Sequence, residues 1–268
     1  MNMRMVAPLR AFGVTAAVAA VAIVGVSAIG SADAPALGGP AVDACRDLGG
    51  NIQAGTICHV TADTDAYSID MRFGVDYPDG RAVADYVHQL HRTFVAAAEA
   101  PGAKNLPYQM FVNVEEFKSG QPLRVVPSLG QRFPGAQAYG EPWQGTESMA
   151  LKIFTRLDVD SVVPRSRYKT FTFDHNKNRA LSFGDLFAPD SKPLDAIYPY
   201  AAADVERQQL ARHYKLPPKD GLDPAFYQNF AITDDALIIF TDTGRLVPDE
   251  SGDIVITIPR NGIPPLQI

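Results

Sequence analysis

Tyr67-Ser68-Ile69-Asp70-Met71-Arg72-Phe73-Gly74-Val75 runs through Pro78-Asp79-Gly80 into a stretch carrying Val83, Val87, Leu90 and Phe94. The first nine residues alternate large apolar side chains with small or polar ones. Neighbouring side chains on a strand point to opposite faces, so this period predicts a strand with one buried face. The apolar spacing then lengthens to three and four, which places Val83, Val87, Leu90 and Phe94 on one stripe of an amphipathic helix. Asp79 is positioned to cap that helix by accepting from a free backbone N–H, and Pro101-Gly102 marks where it stops.

The alternation resumes at Tyr108, Met110, Val112 and Val114, and again at Met149, Leu151, Ile153 and Leu157. Residues 168–173 and 254–256 are further strand candidates. Thr233-Asp234-Asp235 suits a turn between residues 230–232 and the apolar run 236–240, which predicts a hairpin. A second helix is expected between Pro193 and Tyr214, with Pro199 either opening or kinking it. Strands outnumber helices and are not regularly interleaved with them. The expected class is therefore α+β, a mostly antiparallel sheet with two main helices.

Residues 120–145 interrupt this rhythm with four prolines, several glycines, Tyr139 and the single tryptophan, Trp143. A long loop of this composition is either a disordered surface excursion or a binding loop. Its aromatic residues make Tyr139 and Trp143 candidate partner contacts.

Arg4 and Arg10 precede an uncharged apolar run from Ala11 to Gly30. A basic start, an apolar middle and small residues after it read as an export signal over residues 1–34, cut after Ala32 or Ala34. The run is also long enough, at about 20 residues, to remain as a membrane anchor. Residues 35–44, rich in proline and glycine, read as a linker, and residues 45–268 as the exported domain. The expected location is secreted or cell-envelope, with membrane contact only through an uncleaved N-terminal segment. Acids outnumber bases by 30 to 24, and the net charge of −6 argues against nucleic acid as a partner.

Cys45 and Cys58 are the only cysteines. In an oxidising compartment such a closely spaced pair is most simply a disulfide. A metal reading of these two with His59 lacks a fourth ligand, so neither metal nor cofactor is expected.

The Gly-x-Ser-x-Gly elbow, His-Glu-x-x-His, the phosphate-cradling loop and the dinucleotide fingerprint are all missing from the sequence. Catalytic groups need only spatial proximity, so an enzyme is not excluded. His88 and His91 fall on a helix face read as solvated, His175 in a turn, and His213 near a helix end where the dipole favours it. Ser166, Asp174 and His175 form one triad among many that can be written down. Arg165, Arg167 and Lys169 alternate along one strand face, as a strip holding carboxylates or phosphates would, and as a guarded edge strand would.

Gly221-Leu222-Asp223-Pro224-Ala225-Phe226-Tyr227-Gln228-Asn229-Phe230-Ala231-Ile232-Thr233 resembles a signature of the secreted mycobacterial immunogenic-protein family. Cys45-Arg46-Asp47-Leu48, Cys58-His59-Val60, Val75-Asp76-Tyr77-Pro78-Asp79 and Tyr168-Lys169-Thr170-Phe171 extend the likeness. Phe183-Gly184-Asp185-Leu186-Phe187, Gly244-Arg245-Leu246-Val247-Pro248 and Ile258-Pro259-Arg260 complete it in the expected order. The resemblance implies an exported α+β domain with a β-grasp-like element, shared with the ectodomain of a lysozyme-sensing anti-sigma factor. Val163 stands where relatives commonly carry a histidine before Pro164, so no role of that histidine carries over. The functional expectation is a non-enzymatic domain binding an envelope protein or glycan. The alternative is an envelope carboxyl esterase of low activity using an unmarked serine and histidine.

Overall fold

The first strand–helix unit forms where the periodicity places it. The structure is a computed structural model describing residues 38–101, 108–122, 143–157 and 165–268, all within the unit Leu37–Ile268. The segment read as an export signal, Tyr139 and Val163-Pro164 lie outside the described residues. Strand β3 (Tyr67–Gly74) leads into helix α2 (Gly80–Ala98), and the Asp79 carboxylate accepts from the Ala82 N–H at 3.1 Å. Val83, Val87, Leu90 and Phe94 are all buried on one face of α2. The helix crosses over to β4 (Tyr108–Pro122), which runs parallel to β3, as such a crossover permits.

Short helix α1 (Pro40–Asp47), then β1 (Asn51–Gln53) and β2 (Ile57–Asp63) precede this unit. β5 (Trp143–Arg156), β6 (Arg165–Asp174) and β7 (Arg179–Ala180) follow it. The seven strands form one sheet in chain order, antiparallel throughout except for β3 beside β4. The β2–β3 hairpin with α2 and β4 is the grasp-like element. α1 begins inside the segment read as linker. Ala41, Val42 and Ala44 are buried against the first core, and that burial outweighs the loop-like composition of Pro35 to Pro40.

The C-terminal part is built from α3 (Pro193–Gln208), the single turn α4 (Pro218–Gly221) and a three-stranded sheet of β8 (Phe230–Ile232), β9 (Ala236–Thr241) and β10 (Ile254–Pro259). Pro193 opens α3 and Pro199 lies inside it. The unbroken apolar run on β9 is explained by burial on both faces. Leu237 and Ile239 enter the second core with Ile197, Ala201 and Val205 of α3. Phe240 faces the other way, onto Ala150 and Tyr168 of the large sheet. The molecule is thus layered as helix, large sheet, small sheet and helix.

The signature 221–233 is structural. Tyr227 is fully buried, stacks on Phe183 and donates to the Gly221 carbonyl at 2.6 Å. Gly221 admits no side chain, since a Cβ there would sit 2.3 Å from the Tyr198 ring.

Candidate functional site

Three carboxylates converge where the large sheet runs past the start of α2, and strand parity carries two of them there. On β4, Met110, Val112 and Val114 face the first core, and the same alternation brings Glu116 and Lys118 to that face. On β5, Met149, Leu151 and Ile153 share that face with Glu147. Gly74 ends β3 beneath them. A Cβ at Gly74 would lie 3.2 Å from Glu116 Oε1 and 3.9 Å from Asp76 Oδ1. Both carboxyls thus border the space that a side chain at Gly74 would fill.

Glu147 is nearly buried, accepts from His175 Nε2 at 3.1 Å and pairs with Lys118 Nζ at 3.2 Å. The His175 ring also meets Phe173 edge-on, which fixes its orientation from a second side. Burial raises the Asp76 pKa against the opposing pull of its own backbone bond, and the charge of Glu147 adds to the rise. Burial likewise raises Glu116, with the Asp76 charge next in effect. Like charges held close favour the protonated form of one of them, so this pair binds a proton more readily than isolated carboxylates do.

Beside this cluster a groove of about 410 Å³ lies between α2 and β6, lined among others by Tyr77, Asp85, Tyr86, Gln89, Lys169 and Phe171. Tyr77 stands between the two features. Its hydroxyl is buried without a hydrogen-bond partner among the described residues. Burial pushes its pKa up, and the negative charges of Glu147 and Asp79 push it further. The Lys169 ammonium lies 5.0 Å from the centre of the Phe171 ring and 5.9 Å from that of Tyr86.

The residues singled out in sequence separate in space. Cys45 and Cys58 form the disulfide, tying α1 to β2 with Cα atoms 5.8 Å apart. Arg165 pairs with Asp249, Arg167 is exposed, and Lys169 alone of the strip enters the groove. The strip does not guard a bare edge. The outward backbone of β6 is met by side chains from the C-terminal part: Asp242 accepts from Tyr168 N–H at 2.7 Å, Thr243 from Ser166 N–H at 3.0 Å, and Asn229 from Thr170 N–H at 3.3 Å. The Asn229 amide donates in turn to the Tyr168 carbonyl at 3.0 Å.

Residues 120–145 are shorter as an excursion than their composition indicates, because Pro122 pairs with Trp143 and the strands continue inward from there. Ser166 and His175 sit nine residues apart on one strand line, about 30 Å at the usual rise, so that triad does not assemble. Asp174 is buried and accepts from the N–H groups of Asn176 and Lys177, closing the turn. His59 donates to Asp70 at 3.0 Å and receives the Gln53 amide. His213 lies beyond α3 in a left-handed conformation, φ 52°, after a short 3-10 turn, and not on the helix end. Among the described residues no group of three or more His, Cys, Asp or Glu side chains is arranged to hold a metal ion.

Asp76, Glu116 and Glu147 were not singled out in the sequence. Two carried a signal there: Glu116 and Glu147 stand, with Lys118, on the strand parity that elsewhere carries the inward apolar residues.

A model of a protein family described as "Protein of unknown function (DUF3298)" matches residues 184–261. A Mycobacterium tuberculosis protein named Esterase Rv3036c is 39% identical over 234 residues, spanning 87% of this chain and 92% of that protein. The Mycobacterium bovis immunogenic protein MPB64 is 26% identical over 219 residues, 82% of this chain and 86% of that protein. The chain belongs to the mycobacterial immunogenic-protein family, which carries this domain. A crystal structure of a DUF3298 family protein from Pseudomonas aeruginosa PAO1 covers 79% of this chain and 94% of its own, with a TM-score of 0.44 and 12% identity.

Proposed function

We propose that this family member is an extracytoplasmic carboxyl-ester hydrolase whose chemistry centres on Asp76, Glu116 and the Glu147–His175 pair. The carrying observation is the approach of Asp76 and Glu116 over Gly74, with raised proton affinity, beside an oriented histidine. Titratable groups perturbed by burial and by one another, set next to a groove, mark functional sites. The 39% identical relative named an esterase supports the reaction class. The apolar segment 11–30 and the Cys45–Cys58 disulfide support the location.

In this reading water is the nucleophile. The ionised member of the Asp76–Glu116 pair takes a proton from water as its oxygen adds to the acyl carbon. The C–O bond to the alcohol then breaks, and that proton passes to the departing oxygen. The Lys118 ammonium supplies the positive charge that favours the intervening oxyanion.

A specific observation favours a second reading, the non-enzymatic binding domain. The hydrogen-bonded histidines His59 and His175 are engaged by carboxylates and not by a serine hydroxyl. Turnover of p-nitrophenyl butyrate by the full chain decides between them. The hydrolytic reading expects Glu116→Gln to lower kcat/KM by about 100-fold, the low end for removing a general base. Wild-type turnover no greater than that of heat-denatured protein leaves the binding domain, and unchanged turnover in Glu116→Gln and His175→Ala removes this cluster from the chemistry.

A further inference from the structure

The groove between α2 and β6 is separate from the carboxylate cluster, and its composition points to a ligand of its own. Tyr77 lines the groove and is 6% exposed, and its buried hydroxyl has no partner among the described residues. A buried hydroxyl left unbonded costs free energy that a ligand oxygen recovers. Lys169 is half-buried, and among the described residues no carboxylate lies within ion-pair distance of it. Among the described residues its ammonium lies over two ring faces, those of Phe171 and Tyr86. The site therefore holds a desolvated cation lacking a counter-ion and a donor lacking an acceptor.

The rest of the lining narrows the class. Asp85 and Gln89 are exposed on the outward side of α2 and offer acceptors and an amide at the rim. Asp79 is already committed to capping the helix. A bare phosphate or sulfate would face the acidic rim without compensation. The apolar members of the lining, Ala82, Ala180, Leu181 and the two rings, suit the face of a sugar ring, while Asp85 and Gln89 favour its hydroxyls over the methylene groups of a fatty carboxylate. A polyhydroxylated ring with a single carboxylate satisfies both sides, presenting its charge to Lys169 and its hydroxyls to Tyr77, Asp85 and Gln89. The groove volume of about 410 Å³ falls within the range of small-ligand sites.

We propose that this groove is a binding site for an acidic sugar, its carboxylate held by Lys169 and a ring oxygen or hydroxyl by Tyr77. The site gives the glycan-binding alternative a location and does not depend on whether the neighbouring cluster hydrolyses esters. Calorimetric titration of the full chain with D-glucuronate, D-glucose and acetate tests it. Saturable binding of glucuronate is expected, with glucose and acetate each at least about tenfold weaker, the size of one charge-assisted hydrogen bond. Lys169→Met keeps the stem over the rings and removes the charge, and a loss of about tenfold is expected. Tyr77→Phe removes only the unbonded hydroxyl. It should weaken glucuronate binding while leaving the thermal midpoint unchanged or higher, a combination that a purely structural tyrosine does not give. Equal binding of acetate and glucuronate, no saturable heat with glucuronate, or wild-type affinity in both variants would overturn the proposal. The ester assay reads the other site, so the two ideas fail separately.

Discussion

The N-terminal and C-terminal halves are stabilised in different ways. The first core is assembled by regular devices: a strand ladder, a capped crossover helix and a disulfide between α1 and β2. The second core, around α3 and the small sheet, attaches to β6 through side chains that imitate a missing strand, alongside the apolar contact of Phe240 with Tyr168. Asp242, Thr243 and Asn229 satisfy backbone groups that a neighbouring strand would otherwise pair. A ladder spreads its strength over many equivalent bonds. A seam of side chains concentrates it in a few residues, so single substitutions can test it.

Removing the disulfide should have the largest effect. The bridge closes a loop of 13 residues, and constraining the unfolded chain by that amount contributes about 3 kcal/mol on the chain-entropy model. Cys45→Ala with Cys58→Ala should lower stability by that order in denaturant melts. Amide exchange should speed up most in α1 and β2, while α3 and β10 keep their protection relative to the global transition. Loss of protection spread evenly over both halves would show that the two cores unfold as one cooperative body.

Asn229→Ala comes next. It leaves the Thr170 N–H and the Tyr168 carbonyl without their partner at a part-buried edge, at a cost of about 2 kcal/mol. Denaturant unfolding measures the loss, and exchange at Phe230 and Ile232 should accelerate more than exchange at β3. Should Asn229→Ala prove neutral, the seam is held by the apolar contact of Phe240 with Tyr168 and Phe117 instead.

Much of this division was legible in the sequence, and the parts that were not share a physical cause. Period-two and helical spacing located β3, α2, β4 and β5 because each buries one face in a regular rhythm, whereas the β8–β9 hairpin was read from its turn and its unbroken apolar run. Proline-rich residues 35–44 misled, because burial of Ala41, Val42 and Ala44 is a tertiary effect that local composition does not encode. The edge of β6 was misread for a similar reason. Its partners Asn229, Asp242 and Thr243 lie about 60 to 80 residues away, and nothing local announces that their side chains replace a strand. The carboxylate cluster was hidden in plain pattern. Glu116, Lys118 and Glu147 interrupt the apolar parity of the inward positions, yet the placing of Asp76 depends on Gly74, which reads as an ordinary strand end.

That cluster also provides the smallest and most selective test of the contrast. Asp76 and Glu116 have folded-state pKa values above their ordinary ones, first through burial and then through neighbouring negative charge. The folded protein therefore holds more protons than the unfolded chain between the ordinary carboxylate range and the raised values. Stability contributed by these two groups falls as pH rises through that window. Glu116→Gln removes one charge from the pair, so it should raise the thermal midpoint at neutral pH by a small amount, on the order of 1 °C. The gain should vanish below the ordinary carboxylate range, where wild type is protonated as well. Asp253 on the seam behaves oppositely. Burial pushes its pKa up, but hydrogen bonds from Lys152 and Tyr168 outweigh that and hold it below the usual value. Asp253→Asn should therefore lose stability at neutral pH and approach wild type in acid. Parallel pH profiles for the two variants would mean that Glu116 is as favourably paired as Asp253, and the like-charge cluster would not distinguish the N-terminal half.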